Sequence, residues 1–221
     1  MNNKLPIRFA EREKNVKNAF LDAYFDPETE DFCEGRAAGN AYGLALGLGD
    51  ERTKKHLVEK YEALERFDTG IFGTSMLLEQ LFSIGAGDLA VRLLTNDSEA
   101  ASFAHMKRNG ATTLWERWDG RESHNHPMFG ACVRLLFTQI LGIRMMPAAQ
   151  PPVVIPTQSD VTTQPTQALK LLNGELQPPA VPASAQHFSY EIRLSSQRQL
   201  TWAKGSIQTP DGILSVSWEL L

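Results

Sequence analysis

The stretch GATTLWERWDGRESHNHPMFG, residues 110–130, decides how the whole chain is read. It gathers Trp115, Glu116, Trp118, Asp119, His124 and His126 between glycines. Carboxylates beside aromatic rings, on a loop leading into an apolar run, suit a polyhydroxylated ligand. Ring faces stack on C–H groups, while carboxylates and imidazoles hydrogen-bond hydroxyls. A carboxylate so placed can also take a proton from water. The same residues fit a surface loop whose tryptophans plug the core and whose Glu116 and Arg117 face solvent. His124 and His126 make an HxH pair, but two imidazoles are too few for a metal site, so neither metal nor cofactor is expected.

Downstream, SHNHPMFGACVRLLFTQILGI reads as one long apolar helix starting near Pro127, since proline is tolerated in a first turn. Upstream, the periodicity is helical as well. Ile7, Phe9, Val16, Phe20, Leu21 and Tyr24 recur mostly at three- and four-residue steps, and FDPETEDF then breaks the pattern. AAGNAYGLALGLGD reads as a small-residue helix in which Gly39 and Gly43 imply close packing. Gly49 suits its C-terminal cap, and Asp50 suits the N-cap of the next helix, which carries Leu57, Val58, Tyr61 and Leu64 on one stripe. The glycine-punctuated loop DTGIFGT follows; Ile71 and Phe72 either line a pocket there or, for Phe72, fill a hairpin connection. SMLLEQLFSIG and DLAVRLLT are two short helices, the second with Asp88 as N-cap. About six helices with short connections imply a bundle, a solenoid or a helical toroid.

The composition shifts at Met146 into a Pro-, Gln- and Thr-rich segment that reads as a linker or a wrap over a surface. HFSYEIRL then alternates, and Leu200–Thr209 and Ile213–Leu220 flank the turn signal TPDG, which predicts a hairpin. Trp202 and Trp218 on those strands are expected in the core of the β region.

Bulk properties narrow the classes. A net charge of −4 provides no basic surface for nucleic acid or for an anionic membrane. No apolar run reaches the ~18 residues that span a bilayer. The charged start MNNKLPIRFAEREKN lacks the apolar core of a signal peptide, so the expected location is cytoplasmic. Cys33 and Cys132 lie far apart without CxxC spacing and are expected as buried thiols.

GATTLWERWDG followed by SHNHPMFG resembles the signature near the end of the catalytic domain of bacterial α-L-rhamnosidases, glycoside hydrolase family 78. GNAYGLALGLGDER, DTGIFGTSMLLEQLFSIGAGDLAVRLL and LFTQILGI look like helices around it, and LTWAKGSIQTPDGILSVSW is similar to the β-domain that follows. The resemblance implies a mainly α fold. Residues 1–146 would form the C-terminal portion of an (α/α)6 toroid, 147–186 a linker or wrap, and 187–221 a truncated antiparallel β-sandwich-like domain. It implies inverting hydrolysis of terminal α-L-rhamnosides, with a rhamnose-containing glycoside or oligosaccharide as partner. Glu116 maps onto the family's general base and His126 onto its sugar-binding histidine. Trp115 and Trp118 would shape the pocket wall or belong to the core. Asp119 and His124 would contact ligand or hold the loop.

The family's general acid lies in an upstream acidic motif that this sequence does not show. Asp50-Glu51-Arg52 is the nearest match, but Asp50 is accounted for as a helix cap. The expectation is a fragment that carries the base without the acid and is inactive alone, with toroid faces exposed for self-association. The competing expectation is a non-catalytic remnant that binds carbohydrate or a partner.

Overall fold

The computed structural model describes residues 4–97, 101–146, 189–195 and 197–220. The linker expected at 147–186 lies outside the described residues. Eight elements fill the first half: α1 (Lys4–Tyr24), β1 (Phe25–Asp26), β2 (Asp31–Phe32), α2 (Gly39–Ala45), α3 (Glu51–Leu64), α4 (Gly73–Ser83), α5 (Gly87–Thr95) and α6 (Phe103–Arg108).

The small-residue helix behaves as its composition implies. A Cβ on Gly43 would stand 2.3 Å from the Phe32 ring, and one on Gly39 would stand 2.3 Å from the Phe32 carbonyl oxygen. Only glycine lets α2 lie this close to the β1–β2 hairpin. Asn40 completes the joint: its Oδ1 accepts from the Phe32 amide at 2.7 Å, and its Nδ2 donates to Asp31. α2 also packs on α3 and α4, and α5 packs on α4 and α3. Leu57, Tyr61, Leu77, Leu78, Leu81 and Ala90 are fully buried where these helices meet.

The helix ends follow local chemistry, with two differences from expectation. Asp50 caps α3 as expected, accepting from the Arg52 and Thr53 amides, and Thr53 returns a side-chain contact to the Asp50 amide. The left-handed glycine after α2 is Gly47 (φ +69°), not Gly49. Gly49 instead makes room for Leu44 and Thr53. Asp88 does not cap α5, whose N-cap position is Ala86. Its carboxylate accepts instead from the backbone amides of Arg198 and Gln199, more than a hundred residues away.

The expected long helix after Pro127 is broken into three pitches: a 3-10 segment (Pro127–Cys132), one α turn labelled α7 (Val133–Leu135), and a π turn (Leu136–Ile140). The spacing of buried residues explains this. Phe129, Cys132 and Leu135 are buried at steps of three, which matches 3-10 geometry, and the next buried position, Ile140, comes five later across a π turn. A regular α-helix would instead turn Val133 and Leu136 inward, and both are exposed. Burial pushes the Cys132 thiol up to about 11. Cys33 is only half-buried, and no disulfide joins the two.

The π turn delivers the chain to β3 (Ile143–Met146), which pairs antiparallel with β4 (Ser189–Ile192). β3 is a strand where the apolar run suggested the tail of a helix. The terminal hairpin forms as expected from β5 (Trp202–Thr209) and β6 (Gly212–Glu219), in register Thr209↔Gly212 through Trp202↔Glu219. It is fastened to the helical core by Trp218, whose indole N–H donates to the Ile140 carbonyl at 2.8 Å. Trp202, expected in the core, points outward instead and is 65% exposed.

Candidate functional site

Residues 110–126 form a loop closed on itself by two backbone hydrogen bonds. The Glu116 amide donates to Ser123 O, and the His126 amide donates to Leu114 O, both at 2.8 Å. Gly120 (φ +73°) makes the tight reversal, where a Cβ would meet the Trp115 ring at 2.9 Å. Trp115 is only 6% exposed and packs with Met106 and Phe129. It is a structural anchor of the loop. His124 stacks on it at 4.7 Å between ring centres, and its Nε2 donates to Gly120 O at 2.6 Å. His124 thus braces the loop from the solvent side.

Trp118 ties this loop to the other one singled out in the sequence. Its indole N–H donates to the Thr69 carbonyl at 2.6 Å, and its ring stacks on Phe67 at 5.3 Å with the planes nearly parallel. Phe129 and Phe103 close the cluster at 4.0 and 5.2 Å. Burial of such rings and the edge-to-face contacts stabilise the joint between loops 66–72 and 110–126.

Between these loops opens a cleft of about 770 Å³, a volume suited to a small organic ligand. Asp68, Ile71, His105, Glu116, Trp118 and Asp119 line it. Phe72 stands outside it and is 65% exposed, so Ile71 occupies the lining position from that loop. Trp115, His124 and His126 are not among its lining residues.

Glu116 reaches the cleft with its Oε2 atom 3.5 Å from His126 Nδ1 and within 3.4 Å of the Ser123 amide. The other imidazole nitrogen, His126 Nε2, is buried without a partner among the described residues. A buried polar atom in that state is uncommon and asks for a ligand or water. Asp119 differs from Glu116. Arg121 donates to it through Nε (2.9 Å), Nη2 (2.7 Å) and its amide (3.1 Å). These hydrogen bonds, with the Arg121 charge, hold the Asp119 carboxyl down at about 2. Asp119 is therefore an ionised acceptor at neutral pH.

Asp68 and His105 are lining residues that the sequence reading passed over. Asp68 accepts from the Tyr61 hydroxyl at 2.5 Å and from the Lys60 ammonium at 2.7 Å. Burial first, and then this carboxylate, push the Tyr61 hydroxyl far above its ordinary range. The signal for Asp68 was its place in DTGIFGT. His105 sits on α6, a short helix without a clear period.

Helical hairpins around a buried core, with a carboxylate-lined and aromatic-floored cleft at their loop ends, define a glycosidase-type domain. The chain belongs to the bacterial alpha-L-rhamnosidase 6 hairpin glycosidase domain family, which it matches over residues 3–140. An alpha-L-rhamnosidase of Alteromonas sp. (strain LOR) is 26% identical over 232 residues, covering 96% of this chain and 21% of the relative. One of Formosa agariphila is 32% identical over 154 residues, covering 61% of this chain and 16% of the relative. The solved structure of Streptomyces avermitilis alpha-L-rhamnosidase complexed with L-rhamnose is alike in fold, with a TM-score of 0.69 at 20% identity over 97% of this chain and 19% of that one. The chain spans about a fifth of the length of the curated relatives it matches.

Proposed function

We propose that this chain supplies the water-activating side of a site for inverting hydrolysis of α-L-rhamnosides, with Glu116 as general base. The observation that carries the reading is Glu116 at the cleft edge, oriented by the Ser123 amide and His126 Nδ1. In such a reaction the base takes a proton from water as the oxygen attacks the anomeric carbon. A carboxylic acid on the opposite side, ~6.5–9.5 Å away, protonates the leaving oxygen. Ionised Asp119 lines the cleft and would accept from a sugar hydroxyl, while His126 orients Glu116 through Nδ1.

The other carboxyls of the cleft are poorly suited to donate a proton. Asp119 is ionised at neutral pH. Asp68 has its two oxygens engaged by Tyr61 and Lys60. Glu122 rises from the same loop as Glu116, hence from the same side. In this reading the acid comes from another segment, and the chain alone does not turn over. Loss of a general acid alone is worth ~10²–10⁴-fold. The same observation favours a second reading, a carbohydrate-binding protein without catalysis.

The test is an assay of the chain and its Glu116→Gln variant on a chromogenic α-L-rhamnoside, alone and mixed with the N-terminal half of a related toroid. The expected result is no turnover alone and Glu116-dependent turnover on mixing. Turnover by the chain alone that survives Glu116→Gln would refute the assignment of the base. Rhamnose binding with no turnover in any mixture would leave the binding reading in its place. Self-association through exposed helix faces belongs to the same proposal.

A further inference from the structure

The terminal hairpin has two unlike faces. One carries Ala203, Gly205 and Ile207 of β5 with Leu214, Val216 and Trp218 of β6, all half-buried. Ala203 and Trp218 of this face pack on the helical core. The other face carries Trp202, Lys204, Ser206 and Gln208 opposite Glu219, Ser217, Ser215 and Ile213, all exposed. A face destined for the inside of a β-sandwich alternates as an apolar row. This one is hydrophilic along most of its length, yet it displays a tryptophan at 65% exposure. Such an exposed aromatic is the informative departure from a solvated face.

The neighbours of Trp202 point to its ligand. Glu219 is its direct cross-strand partner, and Lys204 and Ser217 form the next pair on the same face. Together with the flanking strand positions they line a shallow depression of about 370 Å³. No ion pair joins Lys204 and Glu219 among the described residues, so the depression offers a cationic donor and an anionic acceptor beside the ring. The Trp202 indole N–H likewise has no acceptor among the described residues. A flat ring face flanked by one cation, one carboxylate and a hydroxyl suits a pyranose, whose C–H face stacks while its hydroxyls are held at the edge.

We infer that Trp202, Lys204, Ser217 and Glu219 form a saccharide-binding platform, separate from the Glu116 cleft, which takes a neutral sugar unit of a rhamnose-containing chain. The choice of rhamnose rests on the function proposed above; the platform itself does not. It would keep a polymeric substrate close to the helical region that carries the cleft.

The test follows the four indole N–H resonances by NMR, assigned from Trp→Phe variants, while methyl α-L-rhamnoside or a soluble neutral rhamnan is added. The Trp202 resonance is expected to shift, and Trp202→Ala is expected to weaken retardation in rhamnan-containing native gels by about tenfold. Because Trp202 is exposed, this variant keeps the fold, and Ile213→Ser, exposed on the same face but outside the depression, should leave retardation unchanged. A shift confined to Trp115 and Trp118 would overturn the platform while supporting the cleft. A shift at Trp202 in a chain inactive under every mixing condition would support the platform and sink the catalytic reading. No shift at any indole, or loss of self-association in Trp202→Ala without any response to sugar, would overturn the platform.

Discussion

Asp119 accepts from Arg121 through two side-chain hydrogen bonds and one amide, which hold its carboxyl down at about 2, below its ordinary 3.8. The folded value is the lower one. The contribution of this pair to folding is therefore present above the unfolded value and is lost as pH falls from about 4 through about 2. Arg121→Gln is expected to return the Asp119 titration toward 3.8 in a carboxyl-carbon NMR experiment. A midpoint that stays near 2 would mean that Arg121 is not the cause. Gly43→Ala tests a different balance. Alanine favours a helix over glycine by about 1 kcal/mol, but a Cβ 2.3 Å from the Phe32 ring forces the hairpin off α2 at about 1–3 kcal/mol. Strain wins, so denaturant unfolding should show a net loss of stability. Residue by residue, the sequence was legible where the cause was local. Gly43 stood out because small residues repeat, and Asp50 because a cap needs only its own helix. Asp88 misled because it looks like a cap, whereas its partners Arg198 and Gln199 sit on a distant segment.

At the level of elements, α2 to α5 were legible because each carries an apolar stripe and a punctuating residue. α6 was missed because Phe103–Arg108 is under two turns and ends in His105, Lys107 and Arg108. Its stability comes from Ser102, buried at its N-cap and accepting from the His105 amide at 3.0 Å. Ser102→Ala should lower unfolding free energy by about 1 kcal/mol or somewhat more, since a buried amide loses its partner. The same variant should loosen Phe103 under Trp118 and broaden the Trp118 indole resonance. If neither stability nor that resonance changes, α6 does not support the cleft floor. The segment from Pro127 to Ile140 was read correctly as apolar and wrongly as one helix. Composition carries no sign of the change from steps of three to a step of five. That change is set by what the segment packs against, with Leu114 contacting Gly130 and Trp218 bonded to Ile140.

Across the whole molecule, burial is uneven. The helices from α2 to α5 enclose a continuous core, and α1 approaches it near its C-terminal end, where the Phe20 and Phe32 rings lie 5.8 Å apart. Phe9, Val16 and Tyr24 on α1 are 65%, 60% and 53% exposed. Their spacing was read as helical periodicity, and α1 is a helix that carries these three side chains exposed. A solvated apolar stripe of this length is an association surface, because pairing two stripes removes several large side chains from water at roughly 25 cal/mol per Å² of apolar area. The chain is therefore expected to elute above its monomer mass at micromolar concentration and to bind a hydrophobic dye. Phe9→Lys with Val16→Lys should shift it toward monomer and reduce dye binding without moving the unfolding transition, since neither side chain belongs to the core. The location matters: Ile213 and Trp202 are also exposed, and substitutions there should leave the elution volume unchanged. A wild-type chain that runs as a single monomeric species with no dye binding would show that α1 folds back or stays apart, and would remove self-association from the account of this protein.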